Sequence, residues 1–105
     1  MGMKKPRLNP SELLALQEAF RECFGKGDAL YLFGSRADPA KKGGDIDLYV
    51  ETQMENAEEV IKAKLSFLTK LMLKIGEQKV DVVIRFKNYD LPIHQIAKDE
   101  GIRLV

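Results

Sequence analysis

A chain of 105 residues has room for one core and none for a separate substrate-binding domain, so residues 1–105 are expected to form a single domain and a bulky substrate has to be held by something else. The 17 basic and 16 acidic residues leave a formal charge of +1, which gives no electrostatic case for nonspecific binding to nucleic acid. No apolar run nears the roughly 20 residues of a membrane span, and residues 1–10 lack the apolar centre of a signal peptide, so the expected location is the cytoplasm.

Asn9-Pro10-Ser11-Glu12 reads as a helix start: Asn9 as N-cap, Pro10 at the first helical position, Glu12 reaching back to complete a capping box. Leu13, Leu16, Phe20 and Phe24 recur at the spacing of one buried helical face, and Gly25 and Gly27 end the run. Ala29–Phe33 is short, apolar and aromatic, which predicts a buried strand. Residues 45–51 alternate, with Ile46, Leu48 and Val50 on one face and Asp45, Asp47, Tyr49 and Glu51 on the other. Residues 54–75 return to a helical period, with Ile61, Leu65, Leu68, Met72 and Ile75 as the expected buried stripe and Gly76 as the stop. Phe67, Leu71 and Leu73 widen that apolar surface, which reads either as a helix pressed between sheet and loops or, with Phe67 and Leu71 as its centre, as a docking patch for a partner, packing within the domain being the expected fate of any single residue.

Residues 79–86 predict a third strand, in which Val80, Val82 and Ile84 face one way and Asp81, Val83 and Arg85 the other. Residues 91–100 make a short helix capped by Gly101, and 102–105 can add an edge strand. Cys23 is the only cysteine, which excludes an internal disulfide and a thiolate-cluster metal site; its apolar helical setting places it in the core. His94, the only histidine, reads as a surface or capping residue, since one imidazole cannot make the usual histidine-based metal site.

Chemistry gathers in the stretch LFGSRADPAKKGGDIDLYVE, residues 32–51. Residues i and i+2 of a strand share a face, so Asp45 and Asp47 can both reach one hard cation. Asp81 sits in an otherwise apolar strand, where an unpaired carboxylate is costly. If that strand neighbours residues 45–51, three carboxylates converge, an oxygen donor set suited to Mg²⁺ or Mn²⁺ held together with substrate phosphates. Gly34 and Ser35 can aim backbone amides and a hydroxyl at phosphate oxygens, and Arg36 adds charge. Lys41 and Lys42 read as a solvated loop, Arg85 as an ion-pair partner of Asp81, and Tyr49 as a packed strand aromatic.

Gly34-Ser35, nine intervening residues, then Asp45-Ile46-Asp47, with Asp81 in KVDVVI as a third acid, resembles the signature of the DNA polymerase beta-like nucleotidyltransferase superfamily, and most of all its minimal nucleotidyltransferases, the MntA-type antitoxins paired with HEPN-domain toxins. The resemblance spans nearly the whole chain. One departure is Gly44, where this group commonly has Ser before the first acid. The resemblance implies an α/β (α+β) fold with a mixed, twisted sheet flanked by helices and the site at the end of the two strands joined by the GSRADPAKKGG loop. It implies transfer of a nucleotidyl group from an NTP, ATP being the expected one, to an acceptor hydroxyl, with pyrophosphate leaving. Asp45, Asp47 and Asp81 would hold Mg²⁺ or Mn²⁺, Asp81 would also help deprotonate the acceptor, and Gly34, Ser35 and Arg36 would steady the triphosphate.

Three functional readings follow: an antitoxin that adds AMP to a tyrosine of a HEPN-type toxin, a module that neutralises a partner by contact without turnover, or a small-molecule nucleotidyltransferase. The last lacks a second domain to hold its substrate, a lack that a homo-oligomer could supply.

Overall fold

The computed structural model describes residues 5–41, 43–86 and 91–105. Along the chain run helix α1 (Pro10–Cys23), strand β1 (Ala29–Phe33), a 3₁₀ turn (Gly34–Ala37), β2 (Ile46–Glu51), α2 (Ala57–Ile75), β3 (Val80–Arg85), α3 (Pro92–Glu100) and β4 (Ile102–Arg103). The strands form one mixed sheet in the order β3-β2-β1-β4. β1 lies antiparallel to β2 and β4, and β2 runs parallel to β3, the crossover between them being α2. The α+β architecture with a mixed sheet is the one expected.

α1 begins as its sequence dictates. Asn9 Oδ1 accepts from the Glu12 N–H at 2.7 Å and Glu12 Oε1 accepts from the Asn9 N–H at 3.0 Å, two otherwise orphaned amides satisfied at once. Its end comes at Phe24, where the backbone turns extended, one residue before the first of the expected glycines. Leu16, Phe20 and Phe24 pack with Phe67 of α2 and with Leu30, Leu32, Ile46, Leu48 and Val50, the alternate residues of β1 and β2 that face this layer. Phe67 meets Phe20 and Phe24 edge to face, with ring centroids 6.2 and 6.0 Å away, a favoured aromatic geometry.

α2 corrects the expectation in two ways. It starts at Ala57, not 54, because the Asn56 side chain accepts from the Glu58 and Glu59 amides. Its buried residues are Val60, Ala63, Phe67 and Leu71, whereas Ile61, Leu65 and Met72 of the expected stripe are half exposed or more. The helix is apolar on two faces, and period alone does not say which is inside. The alanines decide it: Ala15 and Ala19 of α1 and Ala63 of α2 are buried small residues in a core whose bulk Phe20 and Phe67 supply. Phe67 at 0% and Leu71 at 1% exposure therefore cannot form a docking patch; among the three residues that widen the stripe, Leu73 alone is exposed.

α3 packs on the opposite sheet face, where Ala97 joins Ala29, Tyr31 and Tyr49. Tyr49 packs as expected, 1% exposed. His94 caps the helix, its Nδ1 accepting from the Leu91 N–H at 3.1 Å, but it is buried against the Tyr49 ring, not on the surface. Gly101 follows α3 with φ −82°, so its role is close approach: a Cβ there would collide with the Ala97 carbonyl and stand 3.0 Å from that of Leu32. β4 then pairs with β1 as the expected edge strand, over two residues, not four. Cys23 sits half-buried at the core margin.

The two faces of α2 are separable by measurement. Phe67→Ala should lower unfolding stability by about 3–5 kcal/mol, while Leu65→Ala should stay within about 0.5 kcal/mol of wild type, both read from urea midpoints. Equal losses at the two positions would contradict this packing.

Candidate active site

Sheet register brings two of the three expected acids together. Asp47 of β2 lies opposite Asp81 of the parallel strand β3, so both side chains leave the sheet on the face away from α1 and α2. Asp45 stands one residue before β2, and its Oδ2 lies 3.4 Å from Lys79 Nζ, a surface ion pair of the weak kind. Asp81 is exposed, because β3 is an edge strand, so burial does not force it to find a partner as the apolar neighbours had suggested. Arg85 is roughly 13 Å farther along that strand at ~3.3 Å per residue, and it pairs with Glu51 at 3.9 Å.

Crowding shows in Asp47. Partial burial, then Asp81, then Asp45 push its carboxyl above the usual range, and Lys79 offsets this only in part. The fold thus penalises the ionised form of Asp47 relative to the unfolded chain. The contribution of Asp47 to stability is greatest below the unfolded-chain value and is lost as pH rises through the raised folded value.

Gly34 opens the turn after β1 with φ +71°. A Cβ there would overlap Asp47 Oδ2 and stand 3.2 Å from its Cγ, so glycine is what allows the turn backbone to lie against the acid. Ser35 follows, half-buried. Gly34 also lines a cavity of about 460 Å³ with Ala37, Asp38, Lys41 and Glu100; Lys41 is exposed there, and Lys42 lies outside the described residues. Arg36 is turned to the back of the loop. Its Nε donates to the Gly44 carbonyl at 3.2 Å, its Nη1 donates to the Arg7 carbonyl at 3.0 Å, and Nη1 lies 3.9 Å from Glu12 Oε1. Although burial alone would raise the Glu12 carboxyl, the Asn9 amide, the Gln78 amide and the Arg36 guanidinium hold it below its ordinary value.

The unusual Gly44 has a structural counterpart. Its φ is +91°, and a Cβ would stand 2.7 Å from that of Ser35, so the loop closes on Ser35 in a way that any side chain at 44 would obstruct. Arg7, by contrast, carries no motif and is invisible to a search for one. Its guanidinium donates to three loop carbonyls, Nε to Asp38 at 3.1 Å and Nη2 to Ser35 at 3.0 Å and Gly43 at 2.7 Å.

Among the described residues, no three carboxylate, imidazole or thiolate groups stand close enough together to enclose a cation. The donor set nonetheless suits a hard divalent ion: carboxylates only, two of them in register, the third held by an exposed lysine that a stronger cation would displace.

The sequence profile of the nucleotidyltransferase domain matches residues 14–104. The chain belongs to that family. No curated protein matches it significantly. Membership makes the chemistry that of a nucleotidyltransferase, an enzyme class that moves a nucleotidyl group from a nucleoside triphosphate and generally employs a divalent metal. No helix among the described residues is long and apolar enough to cross a membrane.

Two substitutions test this geometry. Asp47→Asn, melted in EDTA at neutral pH, should be at least as stable as wild type, and the difference should close as pH falls below the carboxylate range; a loss of several degrees would make Asp47 a structural residue. Gly44→Ser should cost about 1–3 kcal/mol, the usual magnitude for forcing a side chain into such a backbone; a neutral result would mean the loop adopts another shape.

Proposed function

We propose that this nucleotidyltransferase, acting as one minimal domain over residues 1–105, transfers AMP from ATP with Mg²⁺ or Mn²⁺ to a hydroxyl on a protein partner, and that the acceptor is a tyrosine of a cognate HEPN-type toxin. The observation that carries the reading is the meeting of Asp47 and Asp81 across neighbouring strands with Gly34 laid against Asp47. Asp45, Asp47 and Asp81 are the metal ligands in this account, and the metal, when bound, neutralises charge on the phosphates. The acceptor oxygen forms a bond to the α-phosphorus, the bond to the bridging oxygen of the β-phosphate breaks, and pyrophosphate leaves with that electron pair. Asp81, exposed at the sheet edge, is open to an acceptor arriving from solvent and receives its proton. Gly34 and Ser35 offer backbone and hydroxyl donors to the triphosphate, and Arg36 contributes charge from behind the turn.

The protein acceptor is supported by size. Once this chain has built the nucleotide site, little surface remains to enclose a small acceptor, so the acceptor brings its own. A contact-only antitoxin, one that neutralises its partner without turnover, is the second reading.

Incubation of a purified HEPN-type partner with the protein, ATP and Mg²⁺ should raise the partner's mass by one or more AMP units, and Asp45→Asn should abolish the increase. Tight complex formation with no mass change selects the contact-only antitoxin. No complex and no mass change removes the toxin partner altogether.

A further inference from the structure

We propose that Arg7 is a positioning residue of the nucleotide site, one that lies outside the matched domain of residues 14–104 and orients the peptide planes of the phosphate-binding turn. The inference rests on the nucleotide-binding reading above. Three carbonyls of one loop, those of Ser35, Asp38 and Gly43, accept from a single guanidinium, a fork of donors that only arginine supplies. The backbone joins in: the Arg7 N–H donates to the Arg36 carbonyl at 2.7 Å, and Arg36 Nη1 returns a bond to the Arg7 carbonyl.

Ser35 and Gly43 stand at opposite ends of the loop, and Nη2 of Arg7 serves both. One residue before Ser35 is Gly34, against Asp47; two residues after Gly43 is Asp45. Arg7 thereby sets the separation between the turn offered to phosphate and the strand that carries the acids.

Direction follows from peptide planarity. In a trans peptide the N–H of residue i+1 points opposite to the C=O of residue i. Carbonyls of Ser35, Arg36 and Gly43 drawn towards Arg7 therefore turn the N–H groups of Arg36, Ala37 and Gly44 away from it. Arg7 acts from behind the loop, pinning the carbonyl side of the 3₁₀ turn that begins at Gly34 and so holding the Gly34 and Ser35 donors in place without touching the nucleotide.

The test uses the full chain, with MgATP titrated calorimetrically into wild type, Arg7→Ala and Arg7→Lys at a temperature where circular dichroism shows all three folded. Arg7→Ala should bind on the order of tenfold to a hundredfold more weakly, the scale set by misplaced binding groups, and Arg7→Lys should stay near the alanine value because it keeps the charge but loses the fork. Unchanged affinity in Arg7→Ala with a lowered melting temperature would leave Arg7 merely structural, and full recovery by lysine would show that charge, not orientation, matters; either overturns the inference. Hydrogen exchange without ligand supplies an independent measure: amides in 34–44 should exchange faster in Arg7→Ala while those of β1 and β2 do not, and no change in the loop likewise overturns it. If wild type binds no MgATP, the nucleotide reading falls and takes with it the nucleotide role of Arg7, while exchange still decides whether Arg7 orders the loop.

Discussion

Mutual repulsion of carboxylates is the constraint around which this molecule is arranged. Burial first, and then the charges of Asp81 and Asp45, raise the carboxyl of Asp47, so the fold holds this acid where its ionised form is disfavoured. What holds two of these acids is a ladder of backbone bonds: β2 and β3 pair over six positions, and Asp47 against Asp81 is one rung. A slip of one residue would turn Asp81 into the helical layer and Val80 or Val82 out of it. The apolar partners of those neighbours in the core thus fix the acids indirectly.

The sheet has two unlike faces because one carries the core and the other the paired acids. α1 and α2 cover Leu30, Leu32, Ile46, Leu48 and Val50. On the reverse, among the described residues, α3 covers the part near Tyr31 and Tyr49, and Asp47 is only partly buried. β4 returns to the β1 edge and ties α3 to the sheet, and the tight passage at Gly101 beside the Leu32 carbonyl makes that return possible.

Much of this was legible in the residues. β2 could be read by alternation, since a strand with a helical layer on one face and acids on the other must alternate. α1 could be read by its capping chemistry, which is local and needs no partner. The turn at Gly34 and the meeting of Asp47 with Asp81 were legible because alternation and strand pairing place them; the convergence of Asp45 with them was expected but is not seen among the described residues. The inner face of α2 was not, since Ile61, Leu65, Leu68, Met72 and Ile75 satisfy helical period as well as Val60, Ala63, Phe67 and Leu71 do, and the choice depends on which face fits α1. The exposure of Asp81 was hidden for a similar reason: edge or centre is a property of strand order, not of the strand.

Arg7 marks the deeper limit. Its partners Ser35, Asp38 and Gly43 are backbone carbonyls about 30 residues away, groups that every residue possesses, so nothing in their side chains points back to it. A motif registers side chains that meet substrate or metal; it is silent on side chains that hold a loop from behind. The segment ahead of α1 braces the loop through Arg7. The same capping box that starts α1 places Glu12 beside Arg36, so helix start and loop are braced as one unit. The shape of the loop that opens at Gly34 is therefore set by residues that precede the recognisable domain as much as by those within it.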